Sequence, residues 1–218
     1  LLWALKYTDF DIFQSEYIRN VFRNAGYKKT NNKVIHNGVN QELFNMSGKK
    51  FWDGSYPLKI FSNAFAIRES KRFDIIAEFS ELTNVEVYHV GVWPENLNSR
   101  KAKLLGKMPQ SDFVSLYKEQ ANIFLHPAEK DICPNAVLEA ISCGLPVIYR
   151  NPGGTSEIVG NCGVEMKNSS KEALEEILAK FADCVENIKC RHSEFSIESS
   201  AKKYIEVFRK LLENNDLS

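Results

Sequence analysis

The chain has 218 residues, 44% of them hydrophobic and 26% charged, enough for one sizeable core or two small ones and too apolar for a disordered segment. Lysine plus arginine and aspartate plus glutamate each total 28, so net charge supplies no attraction to nucleic acid or to a membrane surface, and any bound anion must be held locally. Five cysteines, Cys133, Cys143, Cys162, Cys184 and Cys190, form an odd set with no C-x-x-C pair, which argues against a zinc site or disulfide framework and for reduced thiols in a cytosol.

In chain order, the first residues read as a helix end, followed by a short strand over 11–14 and an amphipathic helix over 16–25 closed by Gly26. A second short strand, 33–36, runs into Asn37-Gly38, a turn signal because both residues tolerate positive φ. Residues 40–57 have no period and read as a linker. From Leu58 apolar strands alternate with amphipathic helices: LKIFSN, a helix over 71–82, VEVYHVG, a helix over 111–120, NIFLH, a helix over 135–142, LPVIY, a short helix over 155–159, and GVEM. Two charged amphipathic helices, 171–188 and 197–212, close the chain. This alternation predicts an α/β fold, a Rossmann-like doubly wound parallel sheet with helices on both faces. Ligands of such sheets sit outside the carboxyl ends of the strands, in the loops after LKIFSN, VEVYHVG, NIFLH and LPVIY.

The loop after NIFLH concentrates unusual residues: PAEKDICPNAVLEAISCGLPVI sets Asp131 before a Pro134-Asn135 helix start, where proline suits the first turn and asparagine caps it. The free amides of that turn, from Cys133, Asn135, Ala136 and Val137, make a ready site for an anion or for sugar hydroxyls. Glu139 lies on an otherwise apolar helix and needs a partner, either a lysine or arginine or a ligand diol. Arg68 and Lys71 form a basic pair at a predicted helix start, where they oppose the helix dipole unless an anion joins them; a solvated basic turn is the other reading. Gly153 and Gly154 form either a structural turn or a close approach of amides to a ligand, with Thr155 as cap of the following helix. His36 and His89 read as structural, His126 ends a strand just before Asp131 where it can line the pocket, and no Ser-His-Asp or Cys-His arrangement stands out.

Asp131, seven intervening residues, Glu139 and AISCGLPVI resemble the E-x7-E motif of glycosyltransferase family 4, of GT-B fold. VIHNGVN resembles its interdomain segment, LKIFSNAFAIRESKRFD its first donor-domain strand, loop and helix, LLGKMPQSDFVSLYKEQANIFLHPA its next unit, and NPGGTSEIVG its glycine-rich turn with a downstream glutamate, Glu157. The resemblance implies that Glu139 contacts a nucleotide ribose, Asp131 the donor sugar, Arg68 and Lys71 the diphosphate, and Lys107 and Met108 the base. It departs from the family at Asp131, where glutamate is usual, and at Arg72, where glycine often follows the lysine. It further implies the end of an acceptor-binding domain plus linker at 1–45, a nucleotide-sugar donor domain at 46–195, and a final helix at 196–218 packing back across both. The implied reaction is retaining transfer of a hexose from a nucleoside diphosphate sugar to an acceptor hydroxyl, with the carbohydrate, lipid or glycan acceptor held by a missing N-terminal domain. The resemblance also implies that no metal or other cofactor is needed. A binding module without turnover, or an epimerase or phosphorylase of the same fold, are the alternatives. The start at Leu1 points to a fragment, inactive alone; without a secretory signal or a run of roughly 18 apolar residues a cytoplasmic protein, with peripheral membrane attachment left open, is expected.

Overall fold

Two parallel sheets organise the molecule, whose computed structural model describes residues 3–215. The first sheet pairs β1 (Asp11–Phe13) with β2 (Asn32–Val34) through α1 (Glu16–Asn24). Ser15 caps α1 by accepting from the Ile18 amide at 3.3 Å, and Gly26 at φ 103° turns the chain out of the helix.

The second sheet is built from β3 (Leu58–Ala64), β4 (Val85–Gly91), β5 (Lys103–Gly106), β6 (Ile123–His126), β7 (Val147–Tyr149) and β8 (Gly163–Glu165). Its order is β5-β4-β3-β6-β7-β8, every pair parallel. Neighbours along each strand point to opposite faces: Phe61, Phe124 and Val147 enter one core, Ile60, Ile123 and Ile148 the other. The first core is covered by α3 (Gln110–Glu119) and α4 (Asn135–Ser142), through Tyr117, Leu138 and Ile141 among others. The second is covered by α2 (Phe73–Phe79) and α6 (Ser170–Ala179), through Ile76, Phe79, Leu174 and Ile177. This is the doubly wound arrangement expected from the alternating pattern.

Three elements differ from the sequence reading. β5 escaped it because its four residues are all exposed at the sheet edge and carry no alternation. The single helix expected over 171–188 is two, α6 and α7 (Phe181–Arg191), with Lys180 leaving helical geometry at φ −104° and ψ 8°. Phe181 and Val185 of α7 join one core and Ile188 the other, so the chain must change direction here to round the β8 edge. The helix expected over 71–82 begins as a 3-10 turn, Glu69–Lys71, and α2 starts only after Arg72, which adopts a left-handed φ of 52°.

A short α5 (Thr155–Val159) follows β7, and the chain ends in α8 (Ile197–Asn215). α8 packs back on the first sheet and its linker: the Ile197 amide donates to Val39 O at 2.9 Å, Ser200 Oγ to His36 O at 2.9 Å, and Lys33 meets Glu206 at 3.4 Å. Gly38 is required there, since a Cβ on it would stand 2.3 Å from Ser196 O. Residues 216–218 of the expected final segment, like residues 1 and 2 of the first, lie outside the described residues.

Candidate functional site

After β3 the chain winds outward through β4 and β5, then returns to the other side of β3 as β6. The reversal between β3 and β6 opens a crevice at their carboxyl ends, where open α/β sheets bind ligands. A cleft of about 400 Å3 lies there. Asn63 to Ala66 line it from the end of β3, Arg68 and Lys71 from the 3-10 turn, His126 from the end of β6, and Asp131 and Cys133 to Ala136 from the following loop. Gly91, at φ 113°, lets the end of β4 close on this rim, because a Cβ would sit 1.9 Å from Ala64 O.

Asp131 is the electrostatic centre of the cleft. Lys71 Nζ donates to its Oδ2 at 2.8 Å, and His126 Nε2 stands 3.5 Å from the same oxygen. The His126 imidazole and the Lys71 ammonium, against the opposing effect of burial, hold the Asp131 carboxyl well below the usual carboxylate range. Lys71 is the stronger contact, since 3.5 Å exceeds hydrogen-bond length, and Nε2 of the buried His126 has no hydrogen-bond partner. Burial pushes the His126 imidazole below its ordinary value, against the opposing pull of Asp131, which favours the neutral ring. Its proton is assigned to Nε2, because a lone pair aimed at a carboxylate oxygen would be repelled.

The helix start differs from the reading of Pro134 inside and Asn135 as cap. Pro134 is itself the cap residue, Asn135 opens α4, and no side chain caps the helix. Asn135 instead accepts from Asn37 Nδ2 at 2.9 Å. The first amides of α4 therefore meet the cleft without a side-chain acceptor, which strengthens the case for an anion there. Cys133 Sγ accepts from the Asn37 amide at 3.3 Å, and burial raises its thiol, so it is no activated nucleophile. The side chain of Val137 is fully buried in the core and its amide donates to Pro134 O at 3.1 Å, so of the residues expected at this helix start it offers a ligand no free donor.

Glu139, one turn into α4, has no lysine or arginine partner among the described residues; its contact is Gln110 Nε2 at 3.4 Å. Burial pushes its carboxyl up to about 7. Of the two partners open to it on sequence grounds, the cation is not the one provided.

Gly153 and Gly154 stand behind the cleft wall. The Gly154 amide donates to Asp131 O at 2.8 Å, and Cβ atoms at the two glycines would lie 2.9 Å from Asp131 O and 1.9 Å from Ile132 O. They let the turn press against the acidic loop, so the structural-turn reading describes their geometry. Gly154, not Thr155, is the cap residue of α5. Glu157 accepts from the Glu16 and Tyr17 amides, both at 2.7 Å, and meets His36 Nε2 at 3.1 Å, tying the start of α1 to this turn. Lys107 is exposed and Met108 packs on the core just before α3; neither lines the cleft.

His89 is structural, as expected: Nε2 donates to Val92 O and Nδ1 accepts from Ser62 Oγ, each at 2.9 Å. Asn63 and Asn37 were not singled out as site residues. Asn63 is buried at the carboxyl end of β3 and donates to Tyr117 Oη at 3.1 Å; a polar residue closing an apolar strand was the available signal. Arg72 at its left-handed φ explains why glycine suits this position. The arginine is held by Asp74 and Glu129, each at 2.8 Å.

Residues 95–193 match the family of glycosyl transferases group 1. Similar solved structures include sucrose-phosphate synthase from Thermosynechococcus elongatus, 18% identical with a TM-score of 0.79 over 98% of this chain and 61% of that one. A glycosyltransferase from Rickettsia africae is 18% identical with a TM-score of 0.72 over 93% of this chain and 63% of its own. HepE from Anabaena, solved in complex with UDP-glucose, is 17% identical with a TM-score of 0.70 over 93% and 64%. The fold is GT-B. The chain spans less than two thirds of the length of these proteins. No curated protein sequence matches it. In this GT-B frame the acidic loop, α4 and the glycine turn all fall inside the matched segment, while Arg68 and Lys71 precede it. Among the described residues no helix is long and apolar enough to cross a membrane.

Proposed function

We propose that the cleft binds a nucleoside diphosphate sugar and that the chain is the donor side of a retaining glycosyltransferase that passes a hexose to an acceptor hydroxyl. The observation that carries this reading is the pairing of an uncapped helix start with two cations across one crevice, next to a half-buried carboxylate without a counter-ion. Arg68, Lys71 and the first amides of α4 stabilise charge developing on the departing diphosphate, so no metal is needed for that task. Cys133, Pro134 and Ala136 shape the wall against which the diphosphate lies. Asp131 takes sugar hydroxyls, and Glu139 accepts from the ribose diol, whose hydroxyls replace the missing cation. Lys107 and Met108 face the base through backbone groups, and Gly153 and Gly154 act by fixing the loop of Asp131.

Residues 1–45 then close an acceptor-binding domain, 46–195 form the donor domain, and 196–218 return across both. The apolar side chains Ile197, Ile205, Phe208 and Leu212 of α8 are exposed among the described residues and support that return, with Ile197 and Ile205 lining a groove that shares Asn37 and Asn135 with the cleft. The acceptor, a carbohydrate, lipid or glycan, is held by the other domain, and the chain alone is inactive. Free thiols at all five cysteines fit a cytoplasmic setting. The test is calorimetric titration of the folded chain with uridine, guanosine and adenosine diphosphates and their sugars. Saturable binding of one base series is expected; a folded chain that binds none of them contradicts the reading.

A further inference from the structure

Two buried histidines, His89 within β4 and His126 at the end of β6, on either side of β3, are treated differently by the fold. His89 is satisfied at both nitrogens, as a structural histidine should be. His126 is 4% exposed, lines the cleft, and leaves Nε2 without a hydrogen bond. A buried N–H held just out of reach of its neighbour is costly and brings the free protein no return.

Lys71 holds Asp131 Oδ2 at 2.8 Å, while His126 points toward the same oxygen from 3.5 Å. A diphosphate carries more charge than one carboxylate and draws Lys71 toward itself. Asp131 would then be left half-buried, beside an anion, without a counter-charge. The other N–H at hand is that of His126.

We propose that His126 is a positioning residue that replaces Lys71 at Asp131 when a diphosphate enters the cleft, closing its Nε2–H onto Oδ2 and holding the carboxylate toward the hydroxyls of the attached sugar. This inference rests on the donor-site reading above and adds to it an exchange of partners. With Lys71 drawn away and the carboxylate closing in, the imidazole gains affinity for a proton, taken from solvent at Nδ1. The charged and titratable groups facing His126 are Asp131 and Lys71, with Arg68 and Cys133 on the same cleft and Phe124 stacked at 6.3 Å.

Nitrogen-15 NMR of the four histidines, in the whole chain, reads this exchange directly, with His126 assigned by the signal that His126→Gln removes. On saturation with the nucleotide sugar that the unmodified protein binds, the protonated fraction of His126 near about pH 6 rises several-fold while His36 and His192 do not follow. In titration calorimetry His126→Gln weakens the nucleotide sugar about tenfold and the bare diphosphate less than about twofold. An unchanged His126 signal in the bound protein overturns the exchange, as does equal weakening of both ligands, which marks a merely structural histidine. If His126→Gln does not fold, the pH titration of the unmodified protein still decides, with His126 assigned through its backbone. If the folded protein binds no nucleotide, the donor-site reading fails and the exchange with it; if it binds and His126 does not respond, only the exchange fails.

Discussion

Replacing Glu139 by glutamine separates what the carboxylate costs the fold from what it gives a ligand. The side chain is half-buried with a single 3.4 Å contact to Gln110, and burial holds its carboxyl near 7 instead of the ordinary 4.5. A folded value above the unfolded one means that the native state keeps the proton longer, so stability falls as pH rises from 4.5 to about 7 and is level beyond. At about 1.4 kcal/mol per pH unit, ionised Glu139 costs the free protein up to roughly 3 kcal/mol above neutrality, less whatever water reaches the cleft. Glutamine keeps the shape and removes the charge. Urea denaturation should therefore show Glu139→Gln more stable than the parent by about 1–3 kcal/mol near pH 8, and nearly equal to it near about pH 5. The same variant should bind nucleoside diphosphate at least about tenfold more weakly, from the loss of charge-assisted bonds to the ribose. A stability difference independent of pH would refute the burial argument, and unchanged nucleotide affinity would refute the ribose assignment.

Further consequences can be measured on the same protein. Gly154→Ala puts a Cβ 1.9 Å from Ile132 O, so a loss above about 2 kcal/mol in thermal or urea unfolding is expected, with weaker nucleotide binding as the Asp131 loop shifts. Arg72→Gly relieves about 1 kcal/mol of left-handed strain and gives up two surface ion pairs of about 0.5 kcal/mol each; a change in unfolding free energy beyond about 2 kcal/mol in either direction would contradict that balance. Glu157→Gln weakens two 2.7 Å bonds from the α1 amides and should cost about 1.5–3 kcal/mol, seen as faster hydrogen exchange at Glu16 and Tyr17; unaltered exchange there would remove its role as a tie. Asp131→Asn should make the protein less sensitive to acid, because a carboxyl held below its usual range adds stability above its unfolded value of 3.8 and loses it as pH falls further; identical acid unfolding of parent and variant would contradict this.

The parallel sheet was legible because its strands are short and mostly apolar, IFLH and VIY above all, and alternate with helical periods. β5 was not, since KLLG lies wholly exposed at the edge and owes its conformation to hydrogen bonds with β4. The break at Lys180 was hidden for a related reason: both halves of 171–188 have helical period, and only the edge of the sheet, a tertiary feature, forces a turn between them. The cleft's charged members, Arg68, Lys71 and Asp131, stood out as ions where local structure did not call for them. Which of them touch did not, because Lys71 and Asp131 are sixty residues apart in the chain and meet through the order of β3 and β6. The division of labour at Pro134, Asn135, Gly154 and Thr155 also depended on backbone angles that residue types leave open by one position.

The most direct test of the donor cleft is a crystal structure of the chain with the nucleoside diphosphate that binds it. The diphosphate should lie within hydrogen-bond reach of Arg68, Lys71 and the first amides of α4, with the ribose hydroxyls on Glu139 and Lys71 no longer on Asp131. A nucleotide bound elsewhere, for example in the neighbouring charged groove of Glu69, Arg72 and Glu129, would contradict it.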